Sequence, residues 1–109
     1  MKKVKDEYFV LAVDKGWLEV KGDPVVMPGF EEYDLFVHCD HETLGFSYME
    51  SFAVSEGKSG FRVSKIGSRE EAIEHATKLF TDHGREQVER VIGEAIEKSG
   101  LSPRWSTED

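Results

Sequence analysis

The sequence predicts an α+β domain, an antiparallel meander of four to five strands followed by two C-terminal helices packed on one face of the sheet. Three observations predict it. Residues 44–54 alternate with period two, with Leu44, Phe46, Tyr48, Phe52 and Val54 on one face. A polar turn holding Gly57 and Gly60 follows, then a shorter alternating run at 61–65. Two segments of helical period come after residue 68, and the first opens on a capping signal.

Taken in order, residues 1–7 are charged and expected to be loosely ordered. Residues 8–13, Tyr-Phe-Val-Leu-Ala-Val, are apolar on both faces, which suits a strand covered on each side. Asp14, Lys15 and Gly16 form the turn to a second strand at 17–20, where Trp17 is expected on the sheet. Residues 22–32 contain Pro24, Pro28 and Gly29 and read as a long loop, with Met27 and Phe30 as lids over the core. Strand character resumes at 33–38, and a turn over 39–43 leads into the 44–54 strand.

Ser68 with Glu71 three residues on is the capping-box pattern, in which each side chain bonds the other residue's free backbone N–H. Ala72, Ile73, Ala76, Leu79 and Phe80 then make one apolar stripe. Gly84 is expected to end this helix. A second helix over 86–98 carries Val88, Val91, Ile92, Ala95 and Ile96, with Gly93 at a close approach to the first. Gly100 and Pro103 stop it, and residues 101–109 are expected to be a loosely ordered tail in which Trp105 tucks onto the body or meets a partner.

At 109 residues the chain makes one domain, residues 1–109, long enough for a core without staples. A single cysteine rules out an internal disulfide and fits a reducing cytoplasm. No apolar run reaches membrane-spanning length and the lysine-rich start lacks a signal-peptide core, so the expected location is cytoplasmic, with no membrane partner.

The formal net charge is -8, and between Lys21 and Lys58 there is no lysine or arginine. That interval carries Asp23, Glu31, Glu32, Asp34, Asp40, Glu42, Glu50 and Glu56. Such a field repels phosphate, so nucleic acid is not an expected partner. It suits a basic protein instead, and Glu31, Glu32, Asp34, Asp40 and Glu42 are the candidate partner-binding residues. Apolar residues left on the second face of the sheet would be covered most simply by a homodimer.

The densest group of chemistry-bearing side chains is His38, Cys39, Asp40, His41 and Glu42. His38, Cys39 and His41 are the candidate metal ligands, with His75 or His83 able to join from the helix and the 22–32 loop as a lid over a small ligand. The spacing matches no established zinc pattern. No phosphate-binding loop, dinucleotide glycine fingerprint or serine elbow is present, so no catalytic residue and no cofactor are assigned.

Gly60-Phe61-Arg62-Val63 followed by Gly67-Ser68-Arg69-Glu70-Glu71-Ala72 resembles the strand–turn–helix end of double-stranded-RNA-binding-like domains, and is similar to small antitoxin domains of the HicB type. RNA-binding versions place lysines at this helix start, where Glu70 and Glu71 stand here. The resemblance implies a topology alone; the small, acidic, motif-poor character suits, as one alternative, an antitoxin-like or phage-type inhibitor that competes with nucleic acid for a basic protein. The expectation is a small acidic binding module without catalytic activity, engaging a basic protein; the alternative is a metal- or small-ligand-binding domain at 38–42.

Overall fold

The computed structural model describes residues 2–3, 9–13, 16–39 and 52–106. Within them the chain is α+β, with an antiparallel three-stranded sheet and a C-terminal helix. Strands β1 (Lys2–Lys3), β2 (Phe9–Val13), β3 (Gly16–Val20), β4 (Gly22–Val25), β5 (Leu35–Cys39) and β6 (Phe52–Glu56) precede helix α1 (Arg69–Ser99), and β7 (Trp105–Ser106) follows it. The expected single meander is instead three separate antiparallel ladders: β1 with β7, β2 with β3, and β4-β5-β6.

The three-stranded sheet forms around β5, whose Leu35, Phe36, Val37 and His38 are all buried. Period two splits them between two faces. Leu35 and Val37 join Val54, Ala72, Ala76, Phe80 and Val88 in the main core under the helix. Phe36 points the other way and meets Leu18 and Val20 of β3. The second face is therefore not left open at Phe36, His38, Ala53 and Ser55, all of which are buried within the chain.

Two sequence expectations fail locally for identifiable reasons. The start of the expected 22–32 loop is strand β4, which pairs Pro24 opposite Phe36. Proline cannot donate to a ladder, but β4 is an edge strand, where that loss is tolerated. The expected strand at 61–65 is reduced to one isolated bridge, Ser55 with Arg62, and a second bridge, Phe52 with Gly67, lies beyond it. Ser64 Oγ accepts the Val54 N–H at 2.8 Å, so a side chain stands where a regular ladder would place a carbonyl. Of the expected 44–54 strand, residues 44–51 lie outside the described residues.

Helix α1 opens with the expected capping box, Glu71 N–H donating to Ser68 Oγ and Ser68 N–H to Glu71 Oε1. The helical run is interrupted at Gly84, where the sequence expects the first helix to end: its backbone (φ 81, ψ 164) is not helical and kinks the run. Leu101 to Ser106, expected as part of a loose tail, holds Ser102 and Arg104 fully buried. Ser102 N–H donates to Lys58 O at 2.8 Å, and β7 pairs with β1. Among the described residues no helix is long and apolar enough to cross a membrane.

Candidate functional site

The turn after β6 is built on a buried carboxylate. Glu56 continues the core-facing parity of Phe52 and Val54, so its side chain points under the helix and is fully buried. Its oxygens accept from Lys58 N–H (2.8 Å), Ser59 N–H (2.8 Å) and Ser59 Oγ–H (2.7 Å). These bonds tie the turn together around the acid. Burial raises the Glu56 pKa above the ordinary carboxylate value, and the nearby Asp34 charge raises it further, against the lowering effect of its three donors.

Asp34 lies beside it, immediately before β5. Arg104 Nε donates to Asp34 Oδ2 at 2.8 Å and its Nη2 donates to Oδ1 at 3.2 Å, a two-pronged pair between almost fully buried side chains. The Trp105 indole N–H donates to the same Oδ2 at 2.9 Å. Gly57 N–H donates to Asp34 O, and a Cβ at Gly57 would run into the Asp34 carboxylate. Lys58 stacks its ammonium over the Trp105 ring at 4.8 Å.

Asp34, Glu56 and Lys58 form one wall of a pocket of about 240 Å³ between the 32–34 turn, the 56–58 turn and the second half of α1. Four carboxylates line it, Glu32, Asp34, Glu56 and Glu89, against one lining cation, Lys58. Tyr33 donates its hydroxyl to Glu89 Oε1 at 3.1 Å, and burial together with that acceptor pushes its pKa up to about 12. Arg85 pairs with Glu32 at the rim and stacks over Phe30 and Tyr33.

The candidate partner-binding residues thus separate. Glu32 and Asp34 come together in this pocket, Glu32 exposed and Asp34 tucked against Arg104. Glu31 is exposed; its own backbone N–H, and then the Gly29 N–H that donates to it at 3.1 Å, hold its pKa below the usual carboxylate range. Asp40 and Glu42 lie outside the described residues. Sequence reasoning placed Glu56 among surface acids, and missed Glu89 and Arg104. Parity was the available signal for Glu56, two residues beyond the core-facing Val54. Nothing local marks Arg104, which meets its partner across 70 positions.

The candidate metal ligands do not assemble among the described residues. His38 is buried, with Nδ1 2.9 Å from Cys39 O and Nε2 2.7 Å from Ser55 Oγ. A carbonyl only accepts, so Nδ1 carries a proton, and in the neutral ring Nε2 accepts from the serine. Cys39, half-buried with a free thiol, falls on the opposite face of β5. His41 lies outside the described residues, and His75 and His83 sit on α1, lining a different cavity. Among the described residues no group of three or more His, Cys, Asp or Glu is placed to hold a metal.

No protein-family model, curated protein or solved structure matches this chain.

Proposed function

We propose that this protein is a binding module without catalytic activity that engages a basic protein partner, with one lysine or arginine side chain of that partner entering the pocket between Glu32, Asp34, Glu56 and Glu89. The observation that supports this reading is the convergence of four carboxylates on one concavity with Lys58 as its lining cation. Internal partners offset part of that charge, since Arg104 holds Asp34 and Arg85 holds Glu32. Glu56 and Glu89 supply the remainder. An entering cation would stabilise the charged form of Glu56, which burial disfavours. The Tyr33 ring and the methylene groups of Ile92 and Ile96 offer apolar contact to the stem of a lysine or arginine.

The test is calorimetric titration with a hexa-arginine peptide. A chain of net charge -8 attracts such a peptide weakly anywhere, so the control matters. The Glu32→Gln, Glu89→Gln variant is expected to lose about tenfold in affinity, a difference of about 1.4 kcal/mol. Glu70→Gln with Glu74→Gln removes the same charge from exposed helix positions outside the pocket and is expected to lose far less. Equal losses in the two variants would make the attraction a property of net charge and would overturn the proposal.

A further inference from the structure

A second concavity, of about 420 Å³, runs along α1 beside residues 62–65 and has the opposite character. Its body is apolar, formed by Val63, Leu79, Phe80, Val88, Val91 and Ile92. Both sides of the Gly84 kink contribute, with Leu79 and Phe80 before it and Val88, Val91 and Ile92 after it. Its polar lining includes Arg62, Lys65, His75 and His83, and among the described lining residues there is no aspartate or glutamate. That distribution stands out in a chain with 22 acidic residues against 14 lysines and arginines. None of the described ion pairs uses Arg62 or Lys65, although the Lys65 charge also acts on Glu71. His75 Nδ1 accepts the Lys65 N–H at 2.8 Å, which leaves Nε2 as the ring's N–H donor when the imidazole is neutral.

Of four large hydrophobic residues exposed among those described, Val91 lines the concavity, while Phe61 and Ile66 flank the lining segment 62–65 in sequence. The volume lies within the range typical of small-molecule sites, roughly 300–1,000 Å³, which are mostly apolar with a few polar groups that orient the ligand. We infer that this groove binds a small amphipathic carboxylate, an apolar chain or ring system bearing one acid group. The apolar body would lie against Leu79, Phe80, Val88 and Val91, and the carboxylate would face Arg62 and Lys65. Arginine presents a planar fork matched to a carboxylate, and lysine adds a point charge. The enclosed volume of about 420 Å³ suits a small molecule.

The test uses the full-length protein and decanoate below its micellar concentration, followed by amide NMR shifts and calorimetry. Saturable binding is expected, with shifts centred on residues 62–65 and on α1 around 79–92. Decan-1-ol is expected to bind at least about tenfold more weakly, because it lacks the charge that arginine and lysine recognise. Arg62→Gln with Lys65→Gln, both exposed positions that leave the core intact, is expected to cost a similar factor. Val91→Glu, also at an exposed position, places a carboxylate in the groove and is expected to abolish binding while circular dichroism stays native. Equal binding of decanoate and decan-1-ol, or an unaffected Arg62/Lys65 variant, would overturn the carboxylate assignment. Shifts spread over the whole surface, or none, would overturn the site. Binding of an acidic amphipathic peptide without decanoate would likewise overturn the small-molecule reading.

Discussion

At the scale of single residues, Asp34 has the most local structure depending on it. It receives Arg104 through two bonds and Trp105 through a third, and its backbone carbonyl takes the Gly57 N–H. Removing one member of a buried ion pair leaves the other charge without compensation, at a cost of about 3–5 kcal/mol. Arg104→Met is therefore expected to destabilise the protein by about that amount in urea denaturation, far more than loss of the exposed Asp23–Arg69 pair, where the median is ~0–1 kcal/mol. Gly57 is the second sensitive point. Its Cβ would collide with an Asp34 carboxylate that Arg104 and Trp105 hold in place, so that carboxylate has little freedom to yield. Gly57→Ala is expected to cost ~1–3 kcal/mol by the same measurement, the range for forced overpacking. The sequence marked Gly57 only as a turn residue. Its closer constraint comes from a side chain 23 positions away, which no local pattern records.

At the scale of elements, what was legible in the sequence was what is encoded locally. The Ser68–Glu71 capping box and the stripe of Ala72, Ala76 and Phe80 appear where spacing placed them, because helix starts and amphipathic faces are set by residues within one or two turns. The second stripe was drawn too wide. Val88 and Ala95 are buried, but Val91 is half exposed and lines the groove. A periodic pattern reports which residues share a face, and it does not report how far the partner surface extends. The two glycines of α1 then behave oppositely. Gly84 adopts a backbone region populated essentially by glycine alone, so Gly84→Ala is expected to cost ~1–3 kcal/mol or to straighten the helix and reshape the groove. Gly93, expected at a helix–helix approach, is regular helix with open space where a Cβ would stand. Gly93→Ala is expected to stabilise the protein by about 1 kcal/mol. Thermal unfolding of the two variants side by side checks the contrast.

At the scale of the whole molecule, strand association was the least legible level. Which strands share a ladder depends on contacts between distant segments, so among the described residues β2-β3 and β4-β5-β6 form separate sheets although the chain reads as one meander. The same long-range assembly puts an acid under the helix, and its consequence is a pH dependence. Glu56 has a folded pKa raised above the ordinary 4.5, chiefly through burial. Between 4.5 and that raised value the native state holds a proton that the unfolded chain has released. Stability from this group is present below 4.5 and falls as pH rises through the window, the sign required when the folded state binds more protons. Glu31 and Glu71 act in the other direction and in another window. Their folded pKa values are lowered, so their contributions are present above 4.5 and are lost as pH falls below it. Urea midpoints measured from pH 3 upward are therefore expected to show two opposing slopes meeting near the ordinary carboxylate value. Glu56→Gln is expected to flatten the upper slope and leave the lower one in place. Glutamine keeps a carbonyl oxygen for the Ser59 donors but turns an amide toward Lys58 N–H, so a constant loss across all pH values accompanies the change. A parallel shift of the whole profile, with the upper slope unaltered, would place that slope on a group other than Glu56.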